Sequence, residues 1–199
     1  MVEAIATDLS YTLSRHELTS YFRAHYRILK RLDHRLTEWL VGLPRNNILF
    51  GILEYIAEGL ILKHHLPGNS SPLVPVSALE DVHRRYYTGV FSREPRRRVE
   101  ESLIRHNYRP HIDVVVARED VGFGVLRKKH IDECVRRLGA TPSSIVVVSD
   151  SPADLEKGRI LGTVTCGVLT GYHSERAIRM VNPDFVFSSL EEFIYSKLL

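Results

Sequence analysis

Three aspartates follow apolar runs of the kind that form buried strands. Asp8 ends the run Ala4-Ile5-Ala6-Thr7, and Asp150 and Asp154 follow Ile145-Val146-Val147-Val148. In open α/β sheets, ligands bind where the carboxyl ends of parallel strands meet. Two carboxylates at that edge form an oxygen-rich pocket that suits a hard divalent cation, most naturally Mg²⁺. Taken alone, Asp8 is more often a turn or helix-capping carboxylate than a catalytic one, so its partners decide between these interpretations.

Those partners come from three further segments. Ser92 ends a second run that favours a strand, and Lys128 and Lys129 lie at the start of an amphipathic helix. A hydroxyl group beside free helix N-terminal amides suits a phosphoryl group. A lysine beside it would keep a nucleophilic carboxylate ionised and neutralise an anionic substrate. In such a setting Asp8 can attack phosphorus and form an aspartyl-phosphate.

Strand patterns alternate with helix patterns along most of the chain. Strands are predicted at residues 4–7, 86–91, 111–116, 145–148, 163–169 and 185–187. Helices are predicted at 77–85, 94–107, 129–138, from 152 onward, and 190–198, with a capping box at Ser77-Ala78-Leu79-Glu80. This alternation indicates an α/β fold, a doubly wound Rossmann-like parallel sheet with right-handed crossovers.

A helical segment interrupts this alternation near the start of the chain. Ser14-Arg15-His16-Glu17 is typical of a capping box, and an apolar stripe continues to Leu40. Asn47 is predicted to cap a second helix through about Leu62, and the stretch from Pro67 to Pro72 is predicted to be a loop. We therefore expect a core domain of residues 1–13 and 73–199 that carries a helical cap insertion at 14–72.

Four segments resemble, in order, the motifs of the haloacid dehalogenase-like (HAD) hydrolase superfamily. The family forms are Asp-x-Asp-x-Thr, a strand ending in Ser or Thr, a lysine after the next strand, and Gly-Asp-x-x-x-Asp. The corresponding segments are Asp8-Leu9-Ser10-Tyr11-Thr12-Leu13, Val90-Phe91-Ser92, Ile112–Asp120 with Lys128-Lys129, and Val147-Val148-Ser149-Asp150-Ser151-Pro152-Ala153-Asp154. The predicted insertion resembles the helical cap of the first type in this superfamily.

The resemblance implies a role for each site residue. Asp8 is implied as nucleophile and Mg²⁺ ligand, Asp150 as a metal ligand, and Asp154 as a ligand or an orienter of metal-bound water. The backbone carbonyl oxygen of Ser10 is implied as a further Mg²⁺ ligand. Mg²⁺ is thus the implied cofactor, and a small phosphorylated metabolite is the implied substrate.

The phosphate site implied by the resemblance combines a hydroxyl group with a lysine. Ser92 is implied to supply the hydroxyl group, and Lys128 or Lys129 is implied to be the lysine. The family's Lys-Pro is missing here, and the register is shifted by a few residues. Arg93, directly after Ser92, is placed to contact substrate.

Ser10 is the main departure from the family pattern. The phosphatases of the superfamily carry there a second aspartate, which protonates the leaving group and then activates water. Serine has no titratable proton near neutral pH, so general acid–base help of roughly 10²–10⁴-fold is expected to be lost. Three interpretations stay open: a slow or unusual phosphatase, a different reaction of the superfamily, or a non-catalytic protein that binds a phosphorylated ligand or a protein partner.

Composition narrows the remaining classes. The 199 residues are 44% hydrophobic, with a formal charge of +3 and two distant cysteines, Cys134 and Cys166, which indicate neither a disulfide framework nor a zinc site. No signal-peptide or membrane-spanning pattern is evident, so a cytoplasmic protein without membrane contact is expected. The basic run Arg93, Arg96, Arg97 and Arg98 is interleaved with Glu94, Glu100 and Glu101, which favours a solvated helix start over nucleic-acid binding. The sequence leaves the oligomeric state undetermined.

Overall fold

The computed structural model describes residues 2–9, 12–16, 70–121, 129–171 and 173–198. The chain divides into two units, one formed by residues 1–16 with 70–199 and the other by 17–69. The second unit lies outside the described residues, and so do the two predicted cap helices. The predicted cap boundaries at 14 and 72 therefore stay a prediction.

Eight strands occur in the described part of the chain. Their bounds are β1 Ala4–Asp8, β2 Ser14–His16, β3 Ser70–Pro72, β4 Tyr87–Phe91, β5 Val114–Val116, β6 Ile145–Ser149, β7 Val164–Val168 and β8 Phe185–Phe187. Six of them form one sheet in the order β5-β4-β1-β6-β7-β8, and every neighbouring pair is parallel. β1 lies at the centre between β4 and β6, so the predicted parallel, doubly wound α/β fold is confirmed.

Seven helices occur in the same described ranges. They are α1 Val76–His83, α2 Arg96–Arg105, α3 Arg118–Val121, α4 Lys129–Leu138, α5 Pro152–Ile160, α6 Glu175–Arg179 and α7 Leu190–Ile194. None of these described helices has the length and apolar character that crossing a bilayer requires.

The central strand β1 is buried on both faces, which explains the apolar run with which it begins. Ile5 packs into one hydrophobic cluster with residues of α1, α2 and α7. Ala4 and Ala6 face the opposite cluster, which residues of α4 line. Because successive side chains of a strand alternate between faces, the apolar residues Ala4, Ile5 and Ala6 fill both clusters in turn, and polar residues appear only at the carboxyl end of β1, at Thr7 and Asp8. This double burial holds Asp8 at a fixed point of the sheet edge.

The predicted capping box at Ser14 is wrong. Residues 14–16 form β2, which pairs antiparallel with β3, with Arg15 opposite Ser71. Backbone hydrogen bonding to a segment far away in the sequence outweighs the local capping signal, so the end of the predicted 67–72 loop is also a strand.

Several helix and strand ends also differ from the prediction. α1 begins at Val76 with Pro75 in the N-cap position, so Ser77 does not cap it. The strand expected from His111 begins only at Val114, because residues 109–111 form a 3₁₀ turn. By contrast, the predicted helix at 129–138 and the predicted strand at 185–187 are confirmed.

Tyr108 fastens the start of β2 and the end of β3 to the core. Its side chain is fully buried, and its hydroxyl group donates to the Val74 carbonyl oxygen at 2.5 Å and lies 3.4 Å from the Leu13 carbonyl oxygen. Burial also raises the pKa of this phenol, which keeps it a donor. The hydroxyl therefore joins the segment before β2 to the segment after β3.

We expect Tyr108→Phe to lower the free energy of unfolding by about 1–3 kcal/mol, because a buried carbonyl oxygen loses its donor. Urea denaturation monitored by circular dichroism measures this change. Tyr195→Phe is the matched control, since Tyr195 is 59% exposed, and it should leave the midpoint unchanged. Equal midpoints for the two variants would show that the Tyr108 hydroxyl contributes nothing.

Candidate active site

The register of the sheet brings the predicted site residues to one edge. Asp8 lies opposite Phe91 on β4, directly before Ser92, and Thr7 lies opposite Val148 on β6, two residues before Asp150. Because all three strands run parallel, their carboxyl ends place these side chains next to one another. This is the edge at which open α/β sheets bind ligands.

The carboxylates at this edge repel one another. Burial raises the pKa of Asp8 well above its ordinary value, and the negative charges of Asp154 and Asp150 raise it further. Burial and the charge of Asp154 raise the pKa of Asp150 to about 7. Asp150 and Asp154 are 6% and 2% exposed, so water screens these charges little. The strand ends therefore hold negative charge that a cation would stabilise.

Arg93 is a cation at the same edge. It is half-buried in the turn after Ser92, and its charge lowers the pKa of both Asp8 and Asp150. Arg118 supports this turn, because its Nε donates to the Arg93 carbonyl oxygen at 2.9 Å. The sequence placed Arg93 beside the phosphate site, and the structure brings it within electrostatic reach of the two aspartates.

Asp154 is oriented by its neighbours on the β6–α5 turn. The Ser149 hydroxyl donates to Asp154 Oδ2 at 3.2 Å and accepts from the Ser151 backbone amide at 3.1 Å. The chain thus folds the first turn of α5 back onto the end of β6. This brings the Asp154 carboxylate close enough to raise the pKa of Asp8 and Asp150.

Ser92 is buried and held by backbone contacts. Its amide donates to the Val116 carbonyl oxygen at 2.9 Å, and its hydroxyl accepts from the Glu94 amide at 3.1 Å. The serine therefore sits at the end of β4 with its hydroxyl oxygen in the turn that leads to α2. That location is compatible with its predicted role in phosphate binding.

The predicted lysine pair is only half described. Lys129 is the first residue of α4 and is exposed, whereas Lys128 lies outside the described residues. Ser10 lies outside them too, as does its backbone carbonyl oxygen. Their roles stay predictions.

The donor set fits a magnesium ion. Mg²⁺ is usually held by one or two carboxylates and keeps several waters, and Asp8 and Asp150 supply two carboxylates. Among the described residues, no group of three or more His, Cys, Asp or Glu side chains forms a complete metal cage. Arg93 lowers the pKa of Asp8 and of Asp150, but burial and the neighbouring carboxylates keep both values above their ordinary range. A divalent cation would stabilise the ionised form of both carboxylates.

The arginine run at the start of α2 is occupied by acidic partners. Arg96 pairs with Asp120 and lies 3.7 Å from Glu100, and Arg97 pairs with Glu101 at 2.8 Å. These pairs agree with the interpretation of a solvated helix start.

Two residues near the site were not singled out from the sequence. His130 is 1% exposed on α4, and its spacing of four from the inward-facing Cys134 is the signal that could have indicated this burial. Gly171 lies so close to Asp150 that a Cβ atom there would stand 1.7 Å from Asp150 Oδ2. The sequence offers no comparable signal for Gly171, because this contact comes from the loop after β7.

Comparison with known proteins gives the class of fold. A family described as HAD-hydrolase-like matches residues 123–193 of the chain. The structure of YfnB of Bacillus subtilis, a protein described as a HAD-hydrolase and solved bound to magnesium, superposes with a TM-score of 0.67. It is 15% identical, and the match covers 96% of both chains. The described sheet and helices therefore form a HAD-like fold.

Two curated enzymes resemble parts of the sequence. Pyrophosphatase PpaX of Bacillus pumilus is 25% identical over 111 residues, which are 56% of this chain and 51% of that protein. Phosphoglycolate phosphatase of Salmonella paratyphi A is 26% identical over 84 residues, 42% of this chain and 33% of that protein. The chain thus matches about half or less of the length of these relatives. These two partial matches and the family match support a resemblance of the chain to HAD-like hydrolases, among them phosphatases.

We predict that Asp150 destabilises the metal-free fold at neutral and higher pH. Its pKa is about 7 in the folded chain against 3.8 ordinarily, so between these values the folded state holds a proton that the unfolded state has lost. The free energy of unfolding should therefore fall as pH rises from about 4 to 7. At pH 8 in a metal chelator, Asp150→Asn should unfold at a higher urea concentration than wild type.

Two controls define this test. Asp81→Asn removes a surface carboxylate and should not raise stability in this way. Added Mg²⁺ should stabilise wild type more than Asp150→Asn. A lower midpoint for metal-free Asp150→Asn at pH 8 would contradict the proposed repulsion.

We also predict that Gly171→Ala displaces the Asp150 carboxylate and weakens binding of Mn²⁺, a magnetic substitute for Mg²⁺, by about tenfold or more, as loss of a partner of a metal ligand does. Electron paramagnetic resonance titration measures this affinity. Gly162→Ala is the control: its backbone has φ +79°, and a Cβ there meets nothing within 4 Å. It should lose stability and keep its Mn²⁺ affinity, whereas unchanged Mn²⁺ binding by Gly171→Ala would contradict the prediction.

Proposed function

We propose that this chain is a Mg²⁺-dependent HAD-like hydrolase that cleaves a small phosphomonoester through an aspartyl-phosphate on Asp8. The observation that carries the proposal is the convergence of Asp8, Asp150 and Ser92 on the carboxyl edge of the sheet, with Arg93 beside them. The family match and the two phosphatase relatives support the same reaction class.

The first step of the proposed reaction is attack by an Asp8 carboxylate oxygen on phosphorus. The phosphorus–oxygen bond to the leaving group breaks, and the leaving oxygen takes a proton from solvent water. Arg93 favours the ionised, nucleophilic form of Asp8, since it lowers the pKa of that carboxyl. Ser92 and Arg93 supply a hydroxyl group and a cation to the phosphoryl oxygens, with Lys128 or Lys129 as a further predicted contact.

The metal would be held by Asp8, Asp150 and the backbone carbonyl oxygen of Ser10, with Asp154 as a further ligand or as an orienter of water. When bound, Mg²⁺ neutralises charge on the carboxylates and on the phosphoryl group. Water then attacks the phosphorus of the aspartyl-phosphate, which releases phosphate and restores Asp8.

Ser10 sets the expected speed of both steps. A serine side chain neither protonates the leaving oxygen efficiently nor activates water, so substrates with good leaving groups should react best.

We propose small phosphorylated metabolites as the substrate class of this chain. We also propose that the predicted cap closes to exclude water and that the protein is cytoplasmic. The buried free thiols of Cys134 and Cys166 are compatible with that reducing compartment.

The Ser10 departure also favours a second candidate function. A chain that retains the carboxylates, Ser92 and Arg93 but lacks the acid–base group could bind a phosphorylated ligand or a protein partner without hydrolysing it. Turnover separates the two functions.

We expect wild type to hydrolyse p-nitrophenyl phosphate in the presence of Mg²⁺ and Asp8→Asn to be inactive, because the amide is not a nucleophile. Release of p-nitrophenol measures the rate, and Asp81→Asn, a surface substitution of the same type, should keep full activity. If wild type and Asp8→Asn are equally inert on this ester and on a panel of phosphorylated metabolites, the hydrolase proposal fails.

Ser10→Asp should raise the turnover number of wild type by roughly 10²–10⁴-fold toward esters with poor leaving groups, because it restores a general acid–base group. The gain should be smaller for p-nitrophenyl phosphate, whose leaving group needs little protonation. Ser10→Asn, of nearly the same size, is the matched control and should give no gain. Ser10→Asp that binds Mn²⁺ but gains nothing would place the defect elsewhere in the site.

A further inference from the structure

A buried histidine lies between two of the segments that form the candidate site. His130 stands in the first turn of α4 and is 1% exposed. Its ring packs against Phe91, the last residue of β4, with ring centroids 5.5 Å apart. Its Nε2 atom lies 3.8 Å from Asp154 Oδ1. The histidine thus contacts the strand end that carries Ser92 and the helix that carries Asp154.

Polar side chains therefore lie next to both carboxylate oxygens of Asp154. Ser149 donates to Oδ2 at 3.2 Å, and His130 faces Oδ1. At 3.8 Å the contact between Nε2 and Oδ1 is longer than a hydrogen bond, so His130 meets the carboxylate as a polar side chain packed against it. Burying a polar ring at this point is costly unless neighbouring polar groups compensate it, and the Asp154 carboxylate is such a neighbour.

Asp154 in turn acts on the rest of the site. Its charge raises the pKa of Asp8 and of Asp150, so its carboxylate lies within electrostatic reach of both proposed metal ligands. A displacement of Asp154 would change the field at the nucleophile and the arrangement of water around a bound cation. A change in the position of His130 would therefore change the electrostatic field at Asp8 by moving Asp154.

Neighbouring residues on α4 distinguish His130 from a simple core residue. Lys129, one position earlier, is exposed, and Cys134, one turn later on the same face, packs near Gly89 in the middle of β4. Of these three residues, His130 is the one that the structure places beside a site carboxylate.

We propose that His130 is a positioning residue that holds the Asp154 carboxylate in its orientation toward Asp8 and Asp150. The proposal rests on the proposed metal-dependent function of this site and adds a residue that the motif resemblance does not assign. It requires the Nε2 atom of the ring, because that atom faces Asp154 Oδ1.

Three substitutions separate this role from packing. His130→Gln keeps a nitrogen close to the position of Nε2, His130→Asn keeps one only near Nδ1, and His130→Phe keeps the ring and removes both. Electron paramagnetic resonance titration of the full chain with Mn²⁺ alone is the main readout. We expect His130→Asn and His130→Phe to weaken Mn²⁺ binding by about 10–100-fold, as the loss of a partner of a metal ligand does. His130→Gln should bind Mn²⁺ about as tightly as wild type.

Cys134→Ser is the control for packing on the same helix face. It should lower the thermal midpoint and leave Mn²⁺ affinity unchanged. Wild-type Mn²⁺ affinity in His130→Phe overturns the proposal. If His130→Phe does not fold, equal Mn²⁺ affinities for His130→Gln and His130→Asn overturn it instead.

A second measurement separates this proposal from the proposed function. In metal-free protein, a double-mutant cycle on the urea midpoint combines His130→Gln and His130→Asn, each in turn, with Asp154→Asn. We expect His130→Asn to be coupled to Asp154→Asn and His130→Gln to be coupled less. A wild-type chain that binds no Mn²⁺ refutes the metal-dependent function, while the cycle still tests the His130–Asp154 contact, and additive midpoints overturn the proposal.

Discussion

The structure depends on one electrostatic constraint, the crowding of negative charge at the carboxyl edge of the sheet. Asp8 lies on β1, Asp150 follows β6 and Asp154 lies in the first turn of α5, and burial together with their mutual repulsion raises the pKa of Asp8 and of Asp150. A fold selected for stability alone would not place buried carboxylates together, since unpaired buried charge is destabilising. Such a conflict between local stability and arrangement is expected where a protein binds a cation or performs chemistry.

The rest of the described core holds these charges in place. β1 is covered on both faces, so its register against β4 and β6 is fixed by alternating apolar side chains. Ser149 holds one oxygen of Asp154, Arg93 offsets part of the charge on Asp8, and Gly171 allows a loop to pass beside Asp150. These three contacts position or partly neutralise the carboxylates at the strand ends.

The central strands were predictable because their signal is local. Continuous apolar runs ending in polar residues identified β1 and β6, and the alternation of strands and helices gave the fold class. The β2–β3 pair was not predictable in this way, because residues 14–16 bond to residues 70–72 across more than fifty positions. His130 could have been found from its spacing on α4, whereas the contact of Gly171 with Asp150 arises from loop geometry that no sequence pattern encodes. Ser10 lies outside the described residues, so the question of its role comes from the sequence alone.

A crystal structure of the chain grown with Mg²⁺ and beryllium fluoride, an analogue of a phosphoryl group bonded to a carboxylate, tests the proposed catalytic site most directly. We expect trifluoroberyllate on an Asp8 carboxylate oxygen, with Mg²⁺ contacting both Asp8 and Asp150. We also expect Ser92 and Arg93 against the fluorine atoms, which occupy the positions of phosphoryl oxygens. Trifluoroberyllate absent from Asp8 at saturating concentration, or Mg²⁺ bound away from Asp8 and Asp150, would contradict the account.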